Sequence, residues 1–205
     1  MKNKVLLEYI WLDGYKSQNL RSNVKVVDTN EINWVDDFPV LRSMPVWNFD
    51  GSSTQQAPGS SSECHLVPVR FYPYKQNHWL VICEVYQMVV TNSDGSFKDG
   101  IPHASNLRAQ LRAYTSSANR SEFWWGFEQE YFIRDENNKI LGWPSLGNPK
   151  PQGEYYCGVG GKNVRGRKLA ESHLRTCLGI GIDLTGINAE VALGQWEYQC
   201  FAKDT

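Results

Sequence analysis

Two aromatic-rich segments in the second half of the chain place glutamates at strand-like spacing. Phe127-Glu-Gln-Glu-Tyr131 carries Glu128 and Glu130, and Gln195-Trp-Glu-Tyr-Gln-Cys-Phe201 carries Glu197. Residues two apart on a β-strand face the same side of the sheet. The segments therefore predict two strands, each with its acidic side chains on one face.

A fourth glutamate, Glu190, lies just before the second segment, so four carboxylates are expected in aromatic surroundings: Glu128, Glu130, Glu190 and Glu197. Burying an unpaired charge is strongly unfavourable, and carboxylates that repel one another are expected to have divalent cations between them. Mg²⁺ and Mn²⁺ prefer such oxygen ligands. We therefore predict that all four are metal ligands.

Two other interpretations of these glutamates remain open at this point. One is a solvated acidic face whose carboxylates pair with lysines and arginines. The other is a glycosidase cleft, since paired carboxylates and eight tryptophans also describe such a site. Residues two apart on one strand seldom flank a bond from opposite sides, which disfavours the glycosidase.

Bulk composition excludes several classes of protein. The net charge of −1 and the pI near 6.4 argue against nucleic acid or an anionic membrane as a partner. No run approaches the roughly 20 apolar residues that span a bilayer. Five widely spaced cysteines without a CxxC pattern indicate reduced thiols in a cytoplasmic protein, and they do not predict a zinc site.

The order of elements predicts an α+β chain. Apolar patterns predict strands in the first half, over residues 5–12, 23–27 and 80–86. Residues 49–62 form a loop rich in Gly and Ser, and the turn residues of 91–100 indicate a linker. We therefore predict an N-terminal β domain over residues 1–97 and an α+β segment over 98–205.

Two helices are expected in the second segment. Ser105 is the predicted N-cap of a helix in which Leu107, Leu111 and Tyr114 recur at helical spacing. A second helix is predicted over about 165–178, with His173 packed on its apolar side.

Several motifs of the chain resemble glutamine synthetase, in the shorter type II form. They occur in the order of that family and extend over nearly the whole chain: Tyr9-Ile-Trp-Leu-Asp-Gly14, Trp47-Asn-Phe-Asp-Gly-Ser-Ser-Thr54, Trp124-Trp-Gly-Phe-Glu-Gln-Glu-Tyr131, Pro151-Gln-Gly-Glu-Tyr-Tyr-Cys-Gly-Val-Gly160, Ala170-Glu-Ser-His173, Gly186-Ile-Asn-Ala-Glu190 and Gln195-Trp-Glu-Tyr-Gln199. The resemblance implies a β-grasp-like N-terminal domain followed by the first part of a catalytic α+β domain.

The resemblance also implies ATP-dependent formation of glutamine from glutamate and ammonia, through γ-glutamyl phosphate. Glu130, Glu190 and Glu197 would hold one Mg²⁺ or Mn²⁺, and Glu128 would help to hold a second. ATP would lie near Trp124, Glu128 and Glu197.

Asp50 and Ser53 match the ammonium-site loop of the family, in which a carboxylate binds NH₄⁺ and can take a proton. This match makes residues 49–62 a functional loop rather than a flexible connection. The resemblance further implies a homo-oligomer, a decamer of two pentameric rings, in which the loop of Asp50 reaches into the neighbouring subunit's site.

The chain is shorter than members of this family, and two hypotheses follow. The first is that it is the N-terminal portion of a working ligase and is incomplete for catalysis on its own. The second is a truncated, non-catalytic protein that binds metal and nucleotide weakly or associates with full-length subunits.

None of the four histidines matches a metal-ligand position of the family. Gln199-Cys-Phe-Ala202 also departs from the Gly-Pro pattern common there.

Overall fold

The computed structural model describes residues 3–115 and 123–203, which belong to two compact units. The first unit is Met1–Ala118 and the second is Asn119–Thr205. The predicted boundary between residues 97 and 98 stays a prediction. Residues 1–2, 116–122 and 204–205 of the predicted domains lie outside the described residues.

The first unit is built on a mixed β-sheet. Its described elements are β1 (Lys4–Leu12), β2 (Leu20–Asp28), β3 (Trp34–Val35), β4 (Phe38–Pro39), β5 (Trp47–Asp50), β6 (Glu63–Lys75), β7 (His78–Thr91), β8 (Phe97–Pro102) and helix α1 (Leu107–Thr115). The sheet order is β2-β1-β7-β6-β5, with β8 also paired to β7. β1 and β7 are parallel, and the other neighbours are antiparallel. The three strands predicted for this region are confirmed.

One face of this sheet forms the core of the first unit. Val5, Leu7, Tyr9 and Trp11 alternate along β1 and are buried, as the period of a strand requires. They pack in one cluster with residues of β6 and β7. The buried Tyr9 hydroxyl donates a hydrogen bond to the Pro45 carbonyl at 2.6 Å, so its polar end is satisfied.

The predicted linker over residues 91–100 is instead the turn of a hairpin between β7 and β8. Val89 pairs with Gly100 across the two strands. The Asp94 carboxylate accepts hydrogen bonds from the backbone N–H and the hydroxyl of Ser96, which closes the turn. The turn residues therefore mark a reversal of the chain within one sheet.

Helix α1 forms where predicted, but its cap and its buried face differ from expectation. Asn106 is the N-cap, since its side-chain oxygen accepts from the Ala109 N–H at 3.0 Å. The Ser105 hydroxyl accepts instead from Gln56 Nε2 at 2.9 Å. Leu107 and Leu111 are exposed.

Ion pairs attach α1 to the sheet. Arg108 and Arg112 donate to the buried Glu84 carboxylate at 2.8 Å and 3.2 Å, and the Tyr86 hydroxyl donates to it at 3.1 Å. The helical spacing of apolar residues thus predicted the helix correctly and did not predict which side of it packs.

The second unit carries a three-stranded antiparallel sheet and one helix among its described residues. Its elements are β9 (Trp124–Phe132), α2 (Arg167–Gly179), β10 (Leu184–Ala189) and β11 (Gln195–Lys203), with strand order β10-β11-β9. The strands and the helix predicted here are confirmed. Ile133, Ala170, Ala189 and Trp196 form a small core.

The sequence predicted a packed His173, but the structure does not place this residue in the interior. It is exposed on α2, with its ring against Tyr198 at a centroid distance of 5.2 Å. Ala170 and Cys177 are the buried residues of the helix, while Leu169 is 58% exposed. In the part of the chain that the structure describes, no helix has the length and apolar character needed to cross a membrane.

Candidate functional site

Three glutamates come together on one face of the second sheet. Antiparallel register places Glu130 of β9 opposite Glu197 of β11, and Asn188 of β10 opposite Glu197 on its other side. Side chains directly opposite each other share a face. Glu190 follows the end of β10 by one residue. Candidate ligand oxygens of Glu130, Glu190 and Glu197 all lie within 4.8 Å of one another.

The four predicted glutamates differ in burial. Glu190 and Glu197 are each 8% exposed, whereas Glu128 and Glu130 are exposed. Among the described residues β9 pairs only with β11, so its side chains are less covered than those of the middle strand. Burial therefore holds for Glu190 and Glu197, and not for the two glutamates of β9.

Neutral amide groups hold the clustered carboxylates. Asn188 Nδ2 donates to Glu190 Oε1 at 2.8 Å, and Gln195 Nε2 donates to Glu130 Oε2 at 2.6 Å. The Gln199 amide donates to Glu197. Residues 3–115 and 123–203 provide no lysine, arginine or histidine that forms an ion pair with these glutamates. Within these ranges the four glutamates therefore do not form an acidic face paired with lysines and arginines.

The cluster is electrostatically unfavourable when fully ionised. The hydrogen bond from Gln199 lowers the pKa of Glu197, but burial, a hydrogen bond with Glu190 and the negative charges of Glu190 and Glu128 outweigh it. The net result is a raised pKa for Glu197. Such a group favours either a proton or a nearby cation. Three carboxylates supply the candidate ligand atoms, so the donor chemistry fits a hard cation such as Mg²⁺ or Mn²⁺.

A cavity of about 320 Å³ opens along the same sheet. It is lined by Gly126, Phe127, Glu128, Thr185, Gln199 and Phe201. Trp124, at the start of β9, lies four residues from Glu128 and therefore on the same face of the strand, about 13 Å away. Its ring is 70% exposed, with Lys203 Nζ 5.4 Å from its centroid. The carboxylate face thus also carries an open cavity and an accessible aromatic ring.

Asp50 and Ser53 lie in the first unit, at the end of β5. The Asp50 carboxylate accepts from the Ser52 N–H at 3.0 Å, from the Ser52 hydroxyl at 2.6 Å and from the Ser53 hydroxyl at 2.8 Å. These hydrogen bonds lower the pKa of Asp50 and keep the exposed group ionised. The loop is ordered into the 3₁₀ turns Gly51–Thr54 and Gly59–Ser61.

Sequence reasoning missed the amides that orient the glutamates. Asn188 stands two residues before Glu190, and Gln195 two residues before Glu197. Both spacings follow the period of the strands, so the same alternation that identified the glutamates could have identified them.

Several curated proteins that are similar to this chain carry one family name. No family model matches the chain. Curated proteins named glutamine synthetase do match it: those of Bradyrhizobium diazoefficiens, Rhizobium meliloti and Saccharomyces cerevisiae are 47%, 45% and 38% identical. The alignments cover 98%, 98% and 97% of this chain, and 53%, 56% and 49% of those proteins. The chain thus spans about half the length of the curated relatives it matches.

Solved structures of GmaS have a similar fold. Its ADP complex in conformation 1 gives a TM-score of 0.63 at 14% identity, over 96% of this chain and 42% of that one. Apo GmaS gives a TM-score of 0.60 at 15% identity, with the same coverage. The identities of 38–47% to curated relatives extend along nearly the whole chain. The chain therefore belongs to the glutamine synthetase family, as its motifs predict, and corresponds to an N-terminal portion of such a protein.

Proposed function

We propose that this chain supplies part of the site at which a glutamine synthetase joins ammonia to L-glutamate, with ATP and through γ-glutamyl phosphate. The observation that carries the proposal is the cluster of Glu130, Glu190 and Glu197, which has no basic partner among the described residues. Membership of the family favours the ligase over the glycosidase alternative.

Glu130, Glu190 and Glu197 would hold one Mg²⁺ or Mn²⁺, and Glu128 would contribute to a second. When bound, such cations neutralise charge on phosphate oxygens and anchor the carboxylate of the substrate. Asn188 and Gln195 orient Glu190 and Glu130 by donating from their side-chain amides.

Nucleotide would bind along the face that carries Trp124, Glu128 and Glu197. The open cavity beside Glu128 supports this assignment, as does the similarity in fold to a protein solved with ADP. The exposed ring of Trp124 offers a surface on which a base can stack.

Asp50 and Ser53 would bind the ammonium ion. Asp50 is exposed, and its hydrogen bonds to Ser52 and Ser53 keep it ionised, which suits a cation. The carboxylate would then accept a proton from NH₄⁺, so that neutral ammonia attacks the acyl phosphate.

We extend the proposal to the architecture and the assembly. The first unit would be a β-grasp-like domain; a parallel pair, β1 and β7, between antiparallel neighbours supports that assignment. The protein would act in the cytoplasm as a decamer of two pentameric rings, with the loop of Asp50 completing the site of a neighbouring subunit.

Phosphate release tests the ligase directly. For the longer enzyme of which this chain would be the N-terminal portion, with ATP and Mg²⁺, we expect release that requires both glutamate and ammonium. The 205-residue chain alone would lack part of the site and should release none. Glu130→Gln should lower the rate by roughly 100-fold, because a metal ligand is lost. Glu154→Gln is the matched control, since Glu154 is exposed and paired with Lys150 at 3.1 Å.

Two results would overturn the proposal. Phosphate release that does not depend on glutamate indicates a different reaction. No release at all from the longer protein, if it still binds Mn²⁺, favours the non-catalytic alternative.

A further inference from the structure

A second group of potential metal ligands lies on the opposite face of the same sheet. His173 and Cys177 are four residues apart on α2 and therefore adjacent on the helix surface. Cys177 Sγ lies 3.4 Å from His173 Nε2. Neither residue takes part in the carboxylate site or in the function proposed for it.

The separation of these two atoms suits a shared metal ion. Zinc binds histidine nitrogen at about 2.0–2.1 Å and thiolate sulfur at about 2.3 Å in tetrahedral geometry, which places the two ligand atoms about 3.5 Å apart. The imidazole and the thiol therefore already stand at the spacing of two corners of a zinc tetrahedron.

A third donor, Cys200, comes from β11. Its side chain is on the same face of the strand as Tyr198, opposite to Glu197, because side chains alternate along a strand. The Tyr198 ring contacts His173. Burial raises the pKa of the Cys177 thiol, and the charge of Cys200 raises it further, so the two thiols are electrostatic neighbours.

The candidate ligand atoms of His173, Cys177 and Cys200 do not all lie within 4.8 Å of one another. Within the described ranges, only Glu130, Glu190 and Glu197 bring three candidate ligand atoms within 4.8 Å of one another. Binding therefore requires a change of side-chain rotamer that brings the three ligand atoms closer together. A cavity of about 450 Å³, lined by Gln129, Tyr131, Leu169, His173 and Tyr198, gives an ion and a water molecule access to His173.

We propose that His173, Cys177 and Cys200 bind a thiophilic divalent cation of the Zn²⁺ type, with water as the fourth ligand. Two thiol protons leave to solvent when the metal–sulfur bonds form, and no oxidation occurs. Thiolate and imidazole select soft cations, whereas the carboxylates on the other face select hard ones. Cysteine spacing did not predict this site because its ligands come from two distant elements.

Co²⁺ is the probe that distinguishes the two faces of the sheet. We expect reduced protein in excess Mg²⁺ to bind one equivalent of Co²⁺ with visible bands of a tetrahedral ion and a thiolate charge-transfer band. Zn²⁺ should abolish both signals. Cys200→Ser should weaken binding by about tenfold or more, in line with loss of a ligand. Cys157→Ser, which removes an exposed thiol elsewhere, should leave the spectrum unchanged.

Alkylation of the unmodified chain tests the site without any substitution. Zn²⁺ should slow the reaction of Cys200 and Cys177 with iodoacetamide, located by mass spectrometry, and not that of Cys157. Absence of the charge-transfer band, or equal alkylation of all three thiols with and without Zn²⁺, overturns the proposal.

Discussion

At the scale of single residues, the buried carboxylates of this chain are of two kinds. Asp13 and Glu84 have arginine partners: Arg21 contacts Asp13 at 2.9 Å, and Arg108 contacts Glu84 at 2.8 Å. Glu190 and Glu197 are also buried, and they receive hydrogen bonds only from neutral donors. The first kind stabilises the fold, and the second leaves negative charge for a cation to neutralise.

Asp13 should make the stability of the protein depend on pH. Burial acts to raise its pKa, but hydrogen bonds from Asn19, Tyr15 and Arg21 outweigh it and lower the pKa. The unfolded chain therefore takes up this proton first as the pH falls. The stabilisation from Asp13 is present above the ordinary aspartate pKa of about 3.9 and is lost below it.

Urea unfolding at two pH values measures this effect. We expect Asp13→Asn to lower the free energy of unfolding at pH 7, and to lower it less at pH 3. An equal loss of stability at both values would show that Asp13 acts by packing alone.

At the scale of elements, the turn between β10 and β11 positions the carboxylate cluster. Gly194 has φ +70°, and a Cβ at this position would lie 2.8 Å from Ile140 Cγ2 and 3.1 Å from the Leu141 carbonyl oxygen. The backbone N–H of Glu190 donates to the Gln195 carbonyl at 3.0 Å across the same turn. Only glycine adopts this positive φ without strain and has no Cβ to contact Ile140 and Leu141.

We expect Gly194→Ala to destabilise the protein more than Gly181→Ala. Gly181 has φ +83°, and a Cβ added there would meet no heavy atom within 4 Å, so its variant shows the conformational cost alone, about 1–2 kcal/mol. Gly194→Ala adds the contacts with Ile140 and Leu141. Equal midpoints of thermal unfolding for the two variants would contradict this account.

The sequence predicted most elements because their patterns are local. Alternation along β1, β9 and β11 and helical spacing in α2 are visible within a few residues. The β7–β8 hairpin and the buried side of α1 were not predicted. The hairpin and the packing of α1 depend on partners that are distant in sequence, for example Glu84 for Arg108. No local pattern indicates which distant partner a residue contacts.

At the scale of the whole molecule, the motifs predicted the family. The family in turn predicted which glutamates lie together, but not how deeply each is buried. The resemblance to the family was enough to predict that Glu130, Glu190 and Glu197 lie close together. Their unequal burial was not predictable, because it depends on which strand is at the edge of the described sheet. The His173 and Cys177 pair was also missed, since an amphipathic helix was expected to bury its histidine.

The two units differ in how much apolar surface they cover. The core of the first unit includes the large side chains of Leu7, Leu66 and Val81, all without accessible surface. The core of the second contains Trp196 with three smaller residues, while Phe127 and Phe201 are each 54% exposed. A cation bound to the glutamates would join β9, β10 and β11 of this second unit and stabilise it by mass action.

Calorimetric titration of the whole chain with Mn²⁺ tests the central claim most directly. We expect saturable binding that Glu197→Gln weakens by about tenfold or more, because a buried anionic ligand becomes neutral. Glu154→Gln should bind as the unmodified chain does, since Glu154 is exposed and paired with Lys150. Unchanged affinity in Glu197→Gln would contradict the account, and would mean that the cluster of Glu130, Glu190 and Glu197 does not hold the metal.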